Sequence, residues 1–91
     1  MIVVFMLSFS TDQVAAFVEL ARTGSLRAAA GSLHLTEQGL RGRLLVLEER
    51  LGVELYRKQR GPRRVGPVTD AGRRFLPRAL AFLEQARQLA E

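Results

Sequence analysis

Apolar positions along this chain recur with the period of a helix in three places, and a cap marks a fourth helix between the first two. Val14, Phe17, Val18 and Ala21 mark one face of a first helix. Ser10-Thr11-Asp12-Gln13 introduces it, with Ser10 placed to cap and Gln13 to complete a capping box, and Gly24 ends it. Ser25 caps a second, short helix running through about Leu33. After a tight connection at His34-Leu35, Thr36 caps a third helix, in which Leu40, Leu44, Leu47 and Leu51 share a face and which Gly52 closes. A last helix starts at Thr69 or Asp70 and reaches the C-terminus. Before it, Leu55-Tyr56-Arg57 and Val65 to Val68 are short β-prone segments around a turn at Gly61-Pro62. They predict a two-stranded wing, in which Pro67, lacking an N–H, restricts the returning strand to partial pairing.

The order helix, helix, helix, hairpin, long helix predicts a mainly α fold: a winged helix-turn-helix of three helices and a two-stranded wing, followed by a long C-terminal dimerisation helix. Residues 10–68 form the winged domain and residues 69–91 the linker or dimerisation helix. Residues 1–9 are an N-terminal extension, with Ile2-Val3-Val4 as a candidate short strand; alternatively Met6 is the true start. The opening run lacks the positive flank and small-residue cleavage site of a signal peptide, and no stretch is apolar enough to span a bilayer. With no cysteine and the single histidine His34, disulfides, thiolate metal sites and cysteine nucleophiles are excluded, and a histidine metal cluster is not expected.

Charge changes the picture more than composition does. The net charge is +5, and its excess is local: residues 57 to 78 hold eight basic residues against Asp70 alone. Thirteen of the 14 basic residues are arginine, whose planar fork suits phosphates and guanine edges. Such a patch is the electrostatic footprint of a polyanionic partner. Ala30, Leu33, Leu35, Leu40 and Leu44 add the spacing of a helix-turn-helix, in which a small residue lets two helices approach and leucines fill the angle between them. An ordinary corner between two helices shares this spacing, and the basic wing downstream favours the DNA-binding reading.

The third helix carries an anomaly. Gly39 and Gly42 interrupt it, each costing about 0.8–1.0 kcal/mol against alanine, and Arg41 and Arg43 alternate with them. With the leucine stripe inward, Gln38, Gly42, Leu45 and Glu49 fall on the opposite face, flanked by Arg41 and Val46. In the last helix Phe75, Ala79, Phe82, Ala86 and Leu89 form one apolar stripe and Leu76, Leu80, Leu83 and Ala90 an adjacent one. One stripe suffices to dock a helix on its own core; two make a face broad enough for an interface. Pro77 should bend this helix or lie near its first turns.

The segment "GSLRAAAGSLHLTEQGLRGRLLVLEERLGVELYRK", with the later "VTDAG" and Pro77, resembles the N-terminal winged helix-turn-helix of LysR-type transcriptional regulators. The N-terminal domain of molybdate-responsive repressors is similar. The resemblance covers about Phe9 to Glu91. It implies a sequence-specific DNA-binding regulator of transcription, acting in the cytoplasm on double-stranded DNA as a homodimer and needing no cofactor. Helix 36–51 would enter the major groove and the basic wing 57–64 would hold the backbone or minor groove. The DNA-binding set is then Ser25, Thr36, Glu37, Gln38, Arg41, Arg43, Lys58, Arg60, Arg63 and Arg64. Arg41 suits guanine and Gln38 adenine; Glu37 either accepts from cytosine or complements the helix dipole. The dimer interface is Phe75, Ala79, Phe82, Ala86 and Leu89, in an antiparallel pairing of two linker helices. Family members carry an effector domain after this helix; here the expectation is a standalone DNA-binding domain without an effector site, or one part of a larger system. The outward positions depart from the family, which typically has glutamine at Glu37, alanine at Gly39, serine at Arg41, arginine at Gly42 and arginine or lysine at Leu45.

Two other classes of function remain. A protein-interaction module would use the same fold with Leu45 and Val46 as its patch. An enzyme would need convergent acid and base groups, and its nearest pair, Glu48 and Glu49, points about 100° apart on a helix; no catalytic residue is expected.

Overall fold

The computed structural model describes residues 9–58 and 66–91. The candidate N-terminal strand and the tip of the wing, with Arg60, Arg63 and Arg64, lie outside the described residues. Four helices are present among those described: α1 (Thr11–Thr23), α2 (Leu26–Ser32), α3 (Glu37–Leu51) and α4 (Asp70–Leu89). Each starts where a hydroxyl side chain can satisfy a free N–H of its first turn. Ser10 Oγ accepts from the Gln13 N–H while Gln13 Oε1 accepts from the Ser10 N–H, the reciprocal pair expected. Ser25, Thr36 and Thr69 accept from Ala28, Gly39 and Gly72, each at 3.0 Å. Gly24 and Gly52 are the C-caps of α1 and α3.

The core gathers around α1, which packs against the other three helices, while α2 packs against α3. Val14, Ala16, Phe17 and Leu20 of α1 meet Ala29 and Ala30 of α2, the predicted stripe Leu40, Leu44 and Leu47 of α3, and Leu55, Tyr56 and Ala79. α4 closes this core from outside: Phe75 lies 5.5 Å from Phe17, ring centre to ring centre, and Leu76 and Leu83 are half-buried beside it. Phe9, just before α1, packs on Phe82 at 5.6 Å.

This placement divides the residues read from the sequence as an interface. Phe75, half-buried, and Ala79, buried, pack against the chain's own core. The reason is that the first turns of α4 lie directly over α1. The helix keeps Leu80 (50% exposed), Phe82 and Leu89 (89% exposed) on its surface, with Ala86 half-buried. Pro77 sits inside α4 at an exposed position, so the carbonyl of Arg73 that loses its helical partner can turn to water. Near the end of α4, Arg87 donates to Glu84 and pairs with Glu91; the Arg87 contact holds the Glu84 carboxyl below the ordinary carboxylate range.

At the wing, Tyr56 and Val68 form an antiparallel bridge. The Arg57 N–H donates to the Pro67 carbonyl at 2.6 Å and the Thr69 N–H to the Leu55 carbonyl at 3.1 Å. Pro67 accepts and cannot donate, which is the partial pairing its missing N–H dictates.

Candidate nucleic-acid interface

The turn between α2 and α3 sets how α3 is presented. Leu33 ends α2, His34 takes a left-handed conformation with φ 57°, and the Leu35 N–H then donates back to the Ala30 carbonyl at 2.8 Å. Histidine is among the few non-glycine types that enter this region. The reversal brings Leu40 and Leu44 onto Ala29 and Ala30, whose small side chains admit the close approach, and turns the other side of α3 to solvent.

On that solvent side Glu37, Gln38, Arg41, Gly42, Leu45 and Glu49 are all exposed. Arg41 lies 3.8 Å from Glu37, one turn back, a loose surface pair that leaves the guanidinium free to swing toward a stronger partner. Arg43 is half-buried, about 140° around the helix from Gln38, and stands apart from the outward set. Ser25 and Thr36 are exposed at the N-termini of α2 and α3, each engaged as a cap.

The two glycines of the anomaly differ. A Cβ at Gly39 would lie 3.1 Å from Thr36 Oγ1, the atom that caps this helix. A Cβ at Gly42 would meet no neighbouring atom within 4 Å. Packing therefore bears on the first glycine and is silent on the second.

Glu48 is the residue whose importance the leucine pattern hides. It is buried at 7% exposure on a flank of α3, and its Oε2 accepts from the Leu55 N–H at 2.7 Å and the Tyr56 N–H at 3.4 Å. Lys58 closes the cluster, its ammonium 2.6 Å from Glu48 Oε1 and 3.6 Å from the centre of the Tyr56 ring. Lys58, read from the sequence as a phosphate contact, is thus held at the root of the wing, tying it to α3. A carboxylate so engaged is also unavailable as a general acid or base beside Glu49, which faces solvent. The sequence signal for this role was a glutamate next to Leu47, inside the leucine pattern; its partners became visible only when residues 55–58 folded back. Arg57, Arg74 and Arg78 add exposed cations on the wing and on α4.

The geometry is that of a helix-turn-helix with a wing root behind its second helix. Residues 11–73 match the family described as "Bacterial regulatory helix-turn-helix protein, lysR family". The chain belongs to the LysR family. A curated relative, an uncharacterized HTH-type transcriptional regulator in the ibpB-leuC intergenic region of Azotobacter vinelandii, is 42% identical over 76 residues, 80% of this chain and 51% of that protein. The uncharacterized HTH-type transcriptional regulator YeiE of Escherichia coli K12 is 38% identical over 79 residues, 87% of this chain and 26% of that one. The chain therefore spans about half, or less, of the length of these LysR-family relatives. Among solved structures, that of the CbnR_DBD-DNA complex superposes with a TM-score of 0.78 at 30% identity, covering 90% of this chain and 91% of that one. The LysR-type winged fold read from "LEERLGVELYRK" and "VTDAG" is the one present. Among the described residues no helix is long and apolar enough to cross a membrane.

Proposed function

We propose that this chain binds double-stranded DNA in a sequence-specific way, as a transcriptional regulator in the cytoplasm, and acts by binding rather than catalysis. The observation that carries this reading is the outward face of α3, where Gln38 and Arg41 stand exposed and clear of the core on a helix fixed by the turn at His34. Gln38 suits the N6 and N7 edge of adenine and Arg41 the O6 and N7 edge of guanine. The alternative donors for the backbone are Arg57 on the wing root and Arg60, Arg63 and Arg64 of its sequence, which give affinity more than sequence choice. Arg43 and Lys58 belong to the supporting structure in this reading, and Ser25 and Thr36 offer helix N-termini to phosphates. Membership of the LysR family and the likeness to the CbnR_DBD-DNA complex support the same reading.

Two copies pair through the exposed side of α4, with Leu80, Phe82 and Leu89 in place of Phe75 and Ala79. Such a two-fold dimer suits half-sites about one helical turn of DNA, or a multiple of it, apart.

A salt titration tests the function. Binding of a mixed-sequence duplex should weaken steeply with salt, because each neutralised phosphate contributes about −0.9 to the slope of log affinity against log salt. Arg63→Ala/Arg64→Ala should flatten that slope by about 2. Binding absent at low salt, or insensitive to both salt and the double substitution, would exclude the DNA reading and favour a protein partner.

A further inference from the structure

Leu45 and Gly42 make the outward face of α3 apolar at its centre. Leu45 is 52% exposed, a large aliphatic side chain on a face otherwise carrying Gln38, Arg41 and Glu49. By helical geometry Gln38, Gly42 and Leu45 lie within an arc of about 60°. Side chains on a helix lean toward its N-terminus, so Leu45 leans over the turn that holds Gly42. The surface at Gly42 is open: a Cβ there would contact nothing within 4 Å, the Leu45 side chain included. The missing side chain at 42 leaves a shallow notch in the surface of α3, with the exposed Leu45 one turn further along the same face.

The fold does not require this notch. Glycine in a helix interior costs about 0.8–1.0 kcal/mol against alanine, and alanine would fit at 42 without displacing anything. Nor does the notch suit a phosphate, since it is apolar and Glu49 stands exposed one turn beyond Leu45. Of the groups that base edges present in the major groove, one is an apolar protrusion: the C5-methyl of thymine.

We infer that Gly42 and Leu45 form a seat for the C5-methyl group of thymine and so determine part of the sequence preference. The inference rests on the DNA-binding reading of α3 above. The set on this face is then complementary in kind: Gln38 for adenine, Arg41 for guanine, and the Leu45–Gly42 notch for the methyl of a neighbouring thymine.

The test starts from duplexes enriched out of a random-sequence pool by binding to the whole chain. One enriched duplex is then prepared with thymidine and with deoxyuridine, which lacks only the methyl and pairs identically, and both affinities are measured by fluorescence anisotropy. The parent should bind the deoxyuridine duplex about fourfold more weakly for each contacted methyl, the effect of burying one methyl-sized group. Leu45→Ala, an exposed change to a strong helix former, should bind the two duplexes equally. Gly42→Ala should lose the discrimination while gaining thermal stability, a combination that a merely structural glycine would not give. Equal binding of both duplexes by the parent, or full discrimination by Leu45→Ala, would overturn the inference and leave the DNA reading standing. Absence of salt-sensitive binding to any duplex would overturn both together.

Discussion

A methyl group added at Gly42 meets open space, whereas one added at Gly72 would lie 2.2 Å from the Leu55 carbonyl oxygen and 2.6 Å from Val68 Cγ1. The same substitution should therefore have opposite signs at the two positions. Gly42→Ala is expected to raise stability by about 0.8–1.0 kcal/mol. Gly72→Ala forces the first turn of α4 off the wing root and should cost about 1–3 kcal/mol or more, as overpacking does. Chemical denaturation of both variants checks the pair; equal signs would contradict the packing described. Sequence alone could flag Gly42 as an oddity, because it interrupts a leucine-patterned helix. It marked Gly72 only as the end of "VTDAG" and could not show its constraint, which comes from a carbonyl 17 residues away in the chain that only the folded wing brings near. The caps Ser10, Ser25, Thr36 and Thr69 were legible because their partners lie within three residues.

At the scale of elements, α3 does two things along its length. Its N-terminal turns present polar side chains outward, while its C-terminal turns anchor the wing through Glu48. Glu48→Ala would strip the Leu55 and Tyr56 N–H groups of their acceptor, at an expected cost of about 2–3 kcal/mol. Lys58→Met keeps those two bonds and removes only a half-exposed ammonium, so it should cost less than Glu48→Ala. Thermal melts distinguish the two; comparable losses would mean that the ion pair, rather than the backbone donors, holds the wing root. Periodicity identified α3 and its buried leucines well, because a helix face is a local property of the sequence. The contact of Lys58 with Glu48 was not legible, because like charges in a run look alike until one meets a buried carboxylate.

For the whole molecule, the apolar surface of α4 is the feature that a single copy leaves unused. The sequence showed two stripes and gave no way to decide which one α1 would cover. The structure covers neither stripe whole: Phe75 and Ala79 of one and Leu76 and Leu83 of the other pack on the core, and Leu80, Phe82 and Leu89 stay outside. Leu80→Glu/Leu89→Glu should fold normally, since both side chains are exposed, and should halve the mass seen by light scattering. A mass unchanged from a dimeric parent would move the pairing surface elsewhere.

The central claim, that the outward face of α3 meets DNA, is tested most directly by following backbone amide signals in NMR as a mixed-sequence duplex is titrated into the labelled chain. The largest shifts are expected from Thr36 to Leu45, with smaller ones at Arg57. Shifts confined to α4, or none in α3 at concentrations where the duplex is bound, would contradict it.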